Sequence, residues 1–232
     1  TTQATTLSAD QLAALNTTQL RALTRAAIGS LTTTQLASLD GTDFAALTTT
    51  QMSVLADTQV ANLTTTQLAA LTTDQIGALS TSALNGLTAS QLAGLASTQV
   101  NALTATQLVS LDDTQIAALT AAQVSALSTT TVAVLGTTQV AALTTTQLAY
   151  LSSTQIAALS TTAVHGLTAT QIAALSTGQL GALTATEIGA FTSTQVGALS
   201  TTQIATLSTT QIAGLASSAL AALTTAQVAA LT

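Results

Sequence analysis

Residues 63–70 read Leu-Thr-Thr-Thr-Gln-Leu-Ala-Ala, and this octapeptide recurs along all 232 residues. Leu stands at residue 7 and at every eighth residue up to Leu231, with Phe191 as the single exception. A second apolar residue follows each of these five residues later, from Leu12 to Val228. We number the Leu position 1 and the second apolar residue position 6. The sequence therefore predicts one uninterrupted array of 29 octapeptide repeats over residues 1–232.

Three geometries can be tested against this spacing. Side chains of a β-strand alternate between faces, so positions 1 and 6, an odd number of residues apart, would point to opposite faces. One continuous helix advances about 100° per residue, so the Leu seam would slip by roughly 80° in each octad and circle the axis. A short helix that restarts in every octad keeps both apolar positions on one side. The pattern thus favours an all-α solenoid of very short helices, one per eight-residue repeat, with a β-solenoid as the alternative.

The polar positions of the octad indicate where each helix begins. Position 2 is Ser, Thr, Asp or Asn in 25 of 29 octads, and position 5 is Gln in 22 of them. A hydroxyl at the N-cap accepts from the third helical N–H, and a Gln side chain there reaches back to the cap, which makes a capping box. Positions 1 and 6 then form the hydrophobic staple that accompanies such a box. Position 2 is therefore the predicted N-cap of every helix.

The acidic residues agree with this frame. All eight lie at positions 2 to 5, in the cap or first turn, where the positive end of a helix dipole favours an anion. They are Asp10, Asp40, Asp43, Asp57, Asp74, Asp112, Asp113 and Glu187. Nine of the twelve Gly residues lie at positions 7 or 8. We expect those Gly residues to allow the turn between helices and a close approach of backbones.

A single octad is too short to fold alone. A helix of about six residues does not persist in water without tertiary contacts. Stability must therefore come from octads that stack, so that their apolar rows form a continuous core. The sequence has no visible longer period, of two or of three octads, that would give the number of octads in one coil.

Composition excludes several classes of function. Arg21 and Arg25 are the only cations, whereas nucleic-acid binding requires clustered Lys and Arg. A membrane span requires about 18 continuous apolar residues, and each octad is interrupted by Thr, Ser and Gln. The chain has no Cys, so disulfides and thiol chemistry are excluded. We expect no nucleic-acid partner and no membrane insertion.

No residue suggests catalysis, a metal or a cofactor. His165 is the only histidine, and one imidazole without a second His or Cys cannot build a transition-metal site. The acidic clusters at residues 40–43 and 112–113 occur once each, so we interpret them as helix caps rather than calcium ligands. Ser and Thr are abundant, but a nucleophile requires an activating base and an orienting acid. We predict no catalytic, cofactor-binding or metal site, no cofactor, and no enzymatic activity.

The three aromatic residues are isolated from one another in the sequence. Phe44 and Phe191 occupy positions 6 and 1 and are predicted to pack in the core. Tyr150 replaces a small residue at position 8 and is expected to face solvent.

The run Leu-Thr-x-x-Gln-(Ile/Val)-Ala-Ala, as at residues 143–150, resembles low-complexity octapeptide repeat regions of very large bacterial secreted or surface proteins. These regions are adhesin-like or haem-utilisation-like. The resemblance implies an extracellular stalk or fibre at the cell surface, although no residue here would ligate haem. We expect the chain to be a window of a longer array.

The leading hypothesis for function is a structural extracellular filament or stalk that self-associates laterally or end to end. The alternative is an adhesive or binding repeat module for a glycan, a surface or ice.

Overall fold

The computed structural model describes residues 6–231. Twenty-eight helices of four to six residues lie within residues 9–229, one in each octad, and no residue of the described range is in a strand. The fold is thus an all-α solenoid of very short helices, and the β-solenoid alternative is wrong. In chain order the helices are α1 Ala9–Ala13, α2 Thr17–Ala22, α3 Arg25–Gly29, α4 Thr33–Ala37, α5 Gly41–Ala46, α6 Thr49–Met52, α7 Asp57–Ala61, α8 Thr65–Ala69, α9 Thr73–Ala78, α10 Thr81–Asn85, α11 Ala89–Gly94, α12 Ser97–Asn101, α13 Ala105–Ser110, α14 Asp113–Ala118, α15 Ala121–Ser125, α16 Thr129–Val132, α17 Thr137–Ala142, α18 Thr145–Tyr150, α19 Ser153–Ile156, α20 Thr161–Gly166, α21 Ala169–Ala174, α22 Thr177–Ala182, α23 Ala185–Gly189, α24 Ser193–Gly197, α25 Thr201–Ala205, α26 Thr209–Gly214, α27 Ser217–Leu220 and α28 Thr225–Ala229.

The predicted capping box starts most of these helices. At α13, Thr104 is the N-cap with extended backbone angles, φ −67° and ψ 159°. The backbone N–H of Gln107 donates to Thr104 Oγ1 over 3.2 Å, and the N–H of Thr104 donates to Gln107 Oε1 over 2.8 Å. Two of the four N–H groups that a helix start leaves without partners are therefore satisfied inside the octad. The prediction that position 2 is the N-cap is confirmed.

Four octads lack a side-chain oxygen at the cap and still form a helix at the same place. Their N-caps are Ala56, Ala96, Gly136 and Ala216. At the first three of them the Gln half of the box remains, with donor–acceptor distances of 2.8, 2.9 and 3.2 Å. The apolar positions and the packing between octads must therefore fix the helix start together with the cap.

The helices end without a left-handed residue. In the described range no residue, Gly included, has a positive φ. The chain passes directly from helical to extended angles, as at Leu111 with φ −66° and ψ 136° after α13. The expectation that Gly at positions 7 and 8 makes the turn is wrong, because an extended Leu leads straight into the next N-cap. The close approach of backbones is the part of that expectation that holds, as described below.

The chain divides into two compact units, unit 1 over Thr1–Leu119 and unit 2 over Thr120–Thr232. Within each unit, helices that pack against each other are three octads apart, such as α7 with α10 in unit 1 and α17 with α20 in unit 2. Three octads therefore make one coil of the solenoid in each unit. The sequence pattern did not reveal this number.

The core of each unit consists of positions 1 and 6. Every position-6 side chain from Leu12 to Ile204 is at most 1% exposed, including Phe44. The position-1 side chains from Leu31 to Leu215 are buried as well, with Phe191 at 3%. Both Phe residues pack in the core as predicted. Positions 2 to 4 carry most of the hydroxyl groups and lie mainly on the surface.

Candidate functional site: the amide ladder between coils

Within each unit, position-5 Gln side chains connect a coil to the one before it. In Gln107, Oε1 accepts from the cap N–H of its own helix, as described above. Its Nε2 donates to the carbonyl oxygens of Ile76 at 3.0 Å, Gly77 at 3.2 Å and Leu79 at 2.8 Å. Those carbonyls belong to the C-terminal end of α9, where a helix leaves carbonyls without intrahelical partners. One side chain thus closes the start of its own helix and the end of the helix one coil earlier.

This arrangement, which we call the amide ladder, repeats throughout both units. Among the described residues, at least sixteen Gln side chains donate through Nε2 to the position-1 carbonyl 28 residues earlier, over 2.6–2.9 Å. The sequence offset identifies the coil, since position 5 of one octad meets position 1 of the octad three repeats before. The ladder is therefore the main polar contact between successive coils.

The ladder side chains are buried between coils. Gln51 and Gln107, which have a coil before them, are 2% and 3% exposed. A buried polar side chain is tolerated only when it is hydrogen-bonded, and no buried side-chain nitrogen or oxygen of the described residues lacks a partner.

The octad pattern predicts only the bond from Gln back to the cap of its own helix, so these bonds between coils were not expected. A signal was present in the composition of position 5. Glu serves a capping box as well as Gln does, yet Glu occupies this position only once, at residue 187, against 22 Gln. A carboxylate accepts but cannot donate to carbonyls. The strong preference for the amide therefore indicates that the side chain must also act as a donor.

Small residues at position 8 form the second contact between coils. A Cβ at Gly166 would lie 2.6 Å from Cα of Thr137 and 2.7 Å from its carbonyl oxygen. A Cβ at Gly86 would likewise lie too close to the backbone of Asp57, at 2.7 Å from its Cα. Position 8 of one helix thus packs on position 3 of the helix one coil before. This close approach explains the Gly at residues 86, 166 and 214, whereas a Cβ at Gly94 would meet only Thr65 Cγ2 at 3.6 Å.

The acidic residues singled out in the sequence serve the helix starts. Asp40 and Asp43 form a reciprocal box, with N–H to carboxylate distances of 2.9 and 3.0 Å. Asp112 caps α14, where its Oδ1 accepts from the N–H of Gln115 over 2.8 Å, and Asp113 lies in the first turn. In the part of the chain that the structure describes, no group of three His, Cys, Asp or Glu side chains could hold a metal ion.

The remaining candidates lie apart on the surface. Tyr150 is 60% exposed, as expected. His165 is exposed and lines an open depression of about 320 Å³ with Thr161, Thr162 and Ala190. A second depression, of about 300 Å³, is lined by Arg21 and Asp74 among others.

The sequence of the ladder identifies the family. The profile of the ALTTAQ repeat matches residues 70–105, 125–153, 147–177 and 172–209, which together are slightly more than half of the chain. The chain belongs to the ALTTAQ repeat family. The same six residues stand at 222–227 as Ala-Leu-Thr-Thr-Ala-Gln. These residues run from position 8 of one octad to position 5 of the next. The ALTTAQ motif therefore contains the small residue that contacts the neighbouring coil, the core Leu, the N-cap Thr and the ladder Gln.

Among the curated proteins, none matches this ALTTAQ repeat chain. Within residues 6–231, no helix has both the length and the apolar character that crossing a bilayer requires.

Proposed function

We propose that this ALTTAQ repeat chain is a structural, noncatalytic segment of an extracellular filament or stalk at a bacterial surface. The amide ladder carries the proposal. Most octads bring their own Gln donor, cap acceptor, core pair and small contact residue, so coils can be added without changing the unit. A protein built to span distance requires such an extendable unit.

The surface composition supports the same role. The chain has 4% charged residues and a net charge of −6, and its exposed positions are rich in Thr and Ser. Only Arg21 and Arg25 offer cleavage sites to a trypsin-like protease. A hydroxyl-rich surface with few cleavage sites suits a passive element exposed to an extracellular environment.

Immunogold labelling of intact producing cells tests the proposal. Antibodies raised against this chain should label thin fibres outside unpermeabilised cells, with no increase after permeabilisation. Label that appears only after permeabilisation would contradict an extracellular role. A control antibody against a cytoplasmic protein would verify that the cells are intact.

An adhesive module is the second candidate, and one surface row favours it. Along one side of unit 1, position 4 carries an exposed hydroxyl in five successive coils. These residues are Thr18, Thr42, Thr66, Ser90 and Thr114. Evenly spaced hydroxyls can donate to and accept from a repeating polar ligand such as a glycan. Saturable binding on a glycan array, lost when Thr42 and Thr66 are replaced by Ala, would favour adhesion over a purely structural role.

A further inference from the structure

A surface depression of unit 1 has a cation on one wall and an anion on the other. Its volume is about 300 Å³, and it extends over three successive coils. Arg21 in α2 belongs to the first of these coils and Asp74 in α9 to the third, with Thr49 between them. The other lining residues are Ala45, Leu47, Thr48, Thr72 and Gln75. Two opposite charges therefore face one small space.

Neither charged group of the depression has a partner among the described residues. Thr72 rather than Asp74 caps α9, because the Oγ1 of Thr72 accepts from the N–H of Gln75 over 3.2 Å. Asp74 in a first turn and Arg21 in a last turn both suit the helix dipole, but that interaction leaves their hydrogen-bonding atoms free. Both groups are therefore available to a ligand.

The exposure of both side chains follows from their octad positions. Arg21 stands at position 7, which is also exposed at Ala45 and Ala69, where a coil lies on either side. Asp74 stands at position 4, which is exposed in neighbouring octads as well, as at Thr66. The depression is therefore a feature of the stacked coils themselves.

The amide ladder holds both walls of the depression in place. At Gln51, Nε2 donates to the carbonyl of Leu20 over 2.8 Å, which fixes the end of α2 next to Arg21. At Gln75, Nε2 donates to the carbonyl of Leu47 over 2.7 Å, which fixes the start of α9 against the coil before it. The backbone of the site is therefore preorganised, and this lowers the entropic cost of binding a ligand.

We propose that this depression binds a small zwitterion whose ammonium and carboxylate groups are separated by several carbon atoms. A guanidinium pairs with a carboxylate through two parallel hydrogen bonds, and a carboxylate pairs with an ammonium group. Arg21 and Asp74 thus recognise opposite ends of the ligand. A ligand with one sign of charge would meet a like charge on one wall, and that repulsion selects against it.

The size and lining of the depression set the kind of zwitterion. A volume of about 300 Å³ is at the lower end of the range for ligand pockets, which fits a molecule as small as an amino acid. Packed helices lie about 8–10 Å apart, and α2 and α9 are two coils apart, so the two charged groups of the ligand need a linker between them. Ala45 and Leu47 provide an apolar lining for the methylene groups of that linker. The ligand class is therefore an ω-amino acid rather than an α-amino acid.

The arginine side chains provide a direct readout. The chain has only two of them, Arg21 and Arg25, so a ¹⁵N-labelled chain gives two Nε–H signals, which Arg25→Gln assigns. The probe is ε-aminocaproate, added at constant ionic strength because salt screens exposed charges. The Arg21 signal should shift and saturate with rising probe concentration, whereas the Arg25 signal should stay constant.

Two comparisons test the role of each charge. Caproate and hexylamine each carry one end of the zwitterion, and both should bind about three- to fivefold more weakly than ε-aminocaproate, since each lacks one ion pair. Asp74→Asn should weaken the binding of ε-aminocaproate by a similar factor and leave the binding of caproate no weaker. Asp10→Asn is the matched control, because Asp10 is an exposed acid at the same octad position outside the depression.

Three outcomes would overturn the zwitterion site. They are an Arg21 signal that moves no more than that of Arg25, equal binding of caproate and ε-aminocaproate, and an Asp74→Asn variant that binds ε-aminocaproate as the unchanged chain does. Circular dichroism verifies that each variant keeps its helices. These results are independent of the immunogold test, because a stalk does not require a ligand.

Discussion

At the scale of the residue, the glutamine amide is the most demanding choice in the octad. Its oxygen and nitrogen have separate tasks, and each task has a fixed chemical requirement. The oxygen must accept from the cap of its own helix, whereas the nitrogen must donate to the carbonyls that end the helix one coil earlier. Only an amide of this length provides both in one side chain.

Gln107→Glu should therefore be strongly destabilising. The change keeps the acceptor for the N–H of Thr104 but turns a buried carboxylate toward the carbonyls of Ile76 and Leu79. We expect a loss of about 2–4 kcal/mol in the free energy of unfolding, measured by urea denaturation. Gln11→Glu is the matched control, since Gln11 is exposed, and should change stability by less than about 0.5 kcal/mol. Equal effects at the two sites would show that the ladder contributes nothing.

Glu187→Gln is the reverse experiment. Glu187 accepts from the N–H and hydroxyl of Thr184 through one carboxylate oxygen, so its own capping role is intact. By the ladder spacing, an amide here would donate to the carbonyls of Ile156 and Leu159. We expect about 1 kcal/mol of added stability from these bonds. A midpoint of urea denaturation that falls or stays constant would contradict this role for the amide.

At the scale of the element, helices this short have more unpaired backbone groups than internal hydrogen bonds. Such helices are unstable alone. The cap and the Gln side chain satisfy groups at the start, and the Gln of the following coil satisfies groups at the end. Close contacts such as that of Gly166 with Thr137 bring the helices near enough for this to occur.

Two Gly→Ala substitutions should have opposite signs. At Gly166 the added Cβ would lie 2.6 Å from Thr137 Cα, so α17 and α20 would have to separate. We expect a loss of about 1–3 kcal/mol. At Gly181, in α22, nothing lies within 4 Å of an added Cβ. There Ala should stabilise the protein by about 0.5–1 kcal/mol, because it restricts the unfolded chain. Thermal unfolding of both variants measures the difference, and the same sign at both sites would contradict the close-packing argument.

At the scale of the whole molecule, the coil of three octads results from stacking rather than from any longer sequence period. All three sides of a coil use the same octad, so any octad can take any side. When whole octads are added or removed, the residue 28 places before each position-5 Gln is still a position-1 residue, so the Gln still meets the same kind of carbonyl.

Deletions test this equivalence. Removal of residues 95–102 takes out one octad, and each later octad should simply move to the next side. We expect the ellipticity per residue at 222 nm to be unchanged and the free energy of unfolding to fall by less than about 1 kcal/mol. Removal of residues 99–102 alone places position 5 opposite position 5 across the junction, so the Gln amides there no longer meet position-1 carbonyls. That variant should lose several kcal/mol, and equal stability of the two deletions would refute the equivalence of octads.

The local structure could be predicted from the sequence because each octad contains the residues that begin its own helix. The cap at position 2, the Leu and the position-6 residue specify a helix start within a single octad. The caps Asp40 and Asp112, the buried Phe44 and the exposed Tyr150 were predictable for this reason. The turn role of Gly was wrong, since an extended Leu reaches the next cap without a left-handed residue.

The octad by itself determined that the chain is an all-α array with one short helix per repeat, because capping and staple contacts are local in sequence. Only the tertiary structure decided that three octads form a coil and that Gln crosses between coils. The physical reason is that contacts one coil apart always join the same octad positions. They therefore add no longer period to a sequence that already repeats with every octad. Their bonds form only once the helices stack.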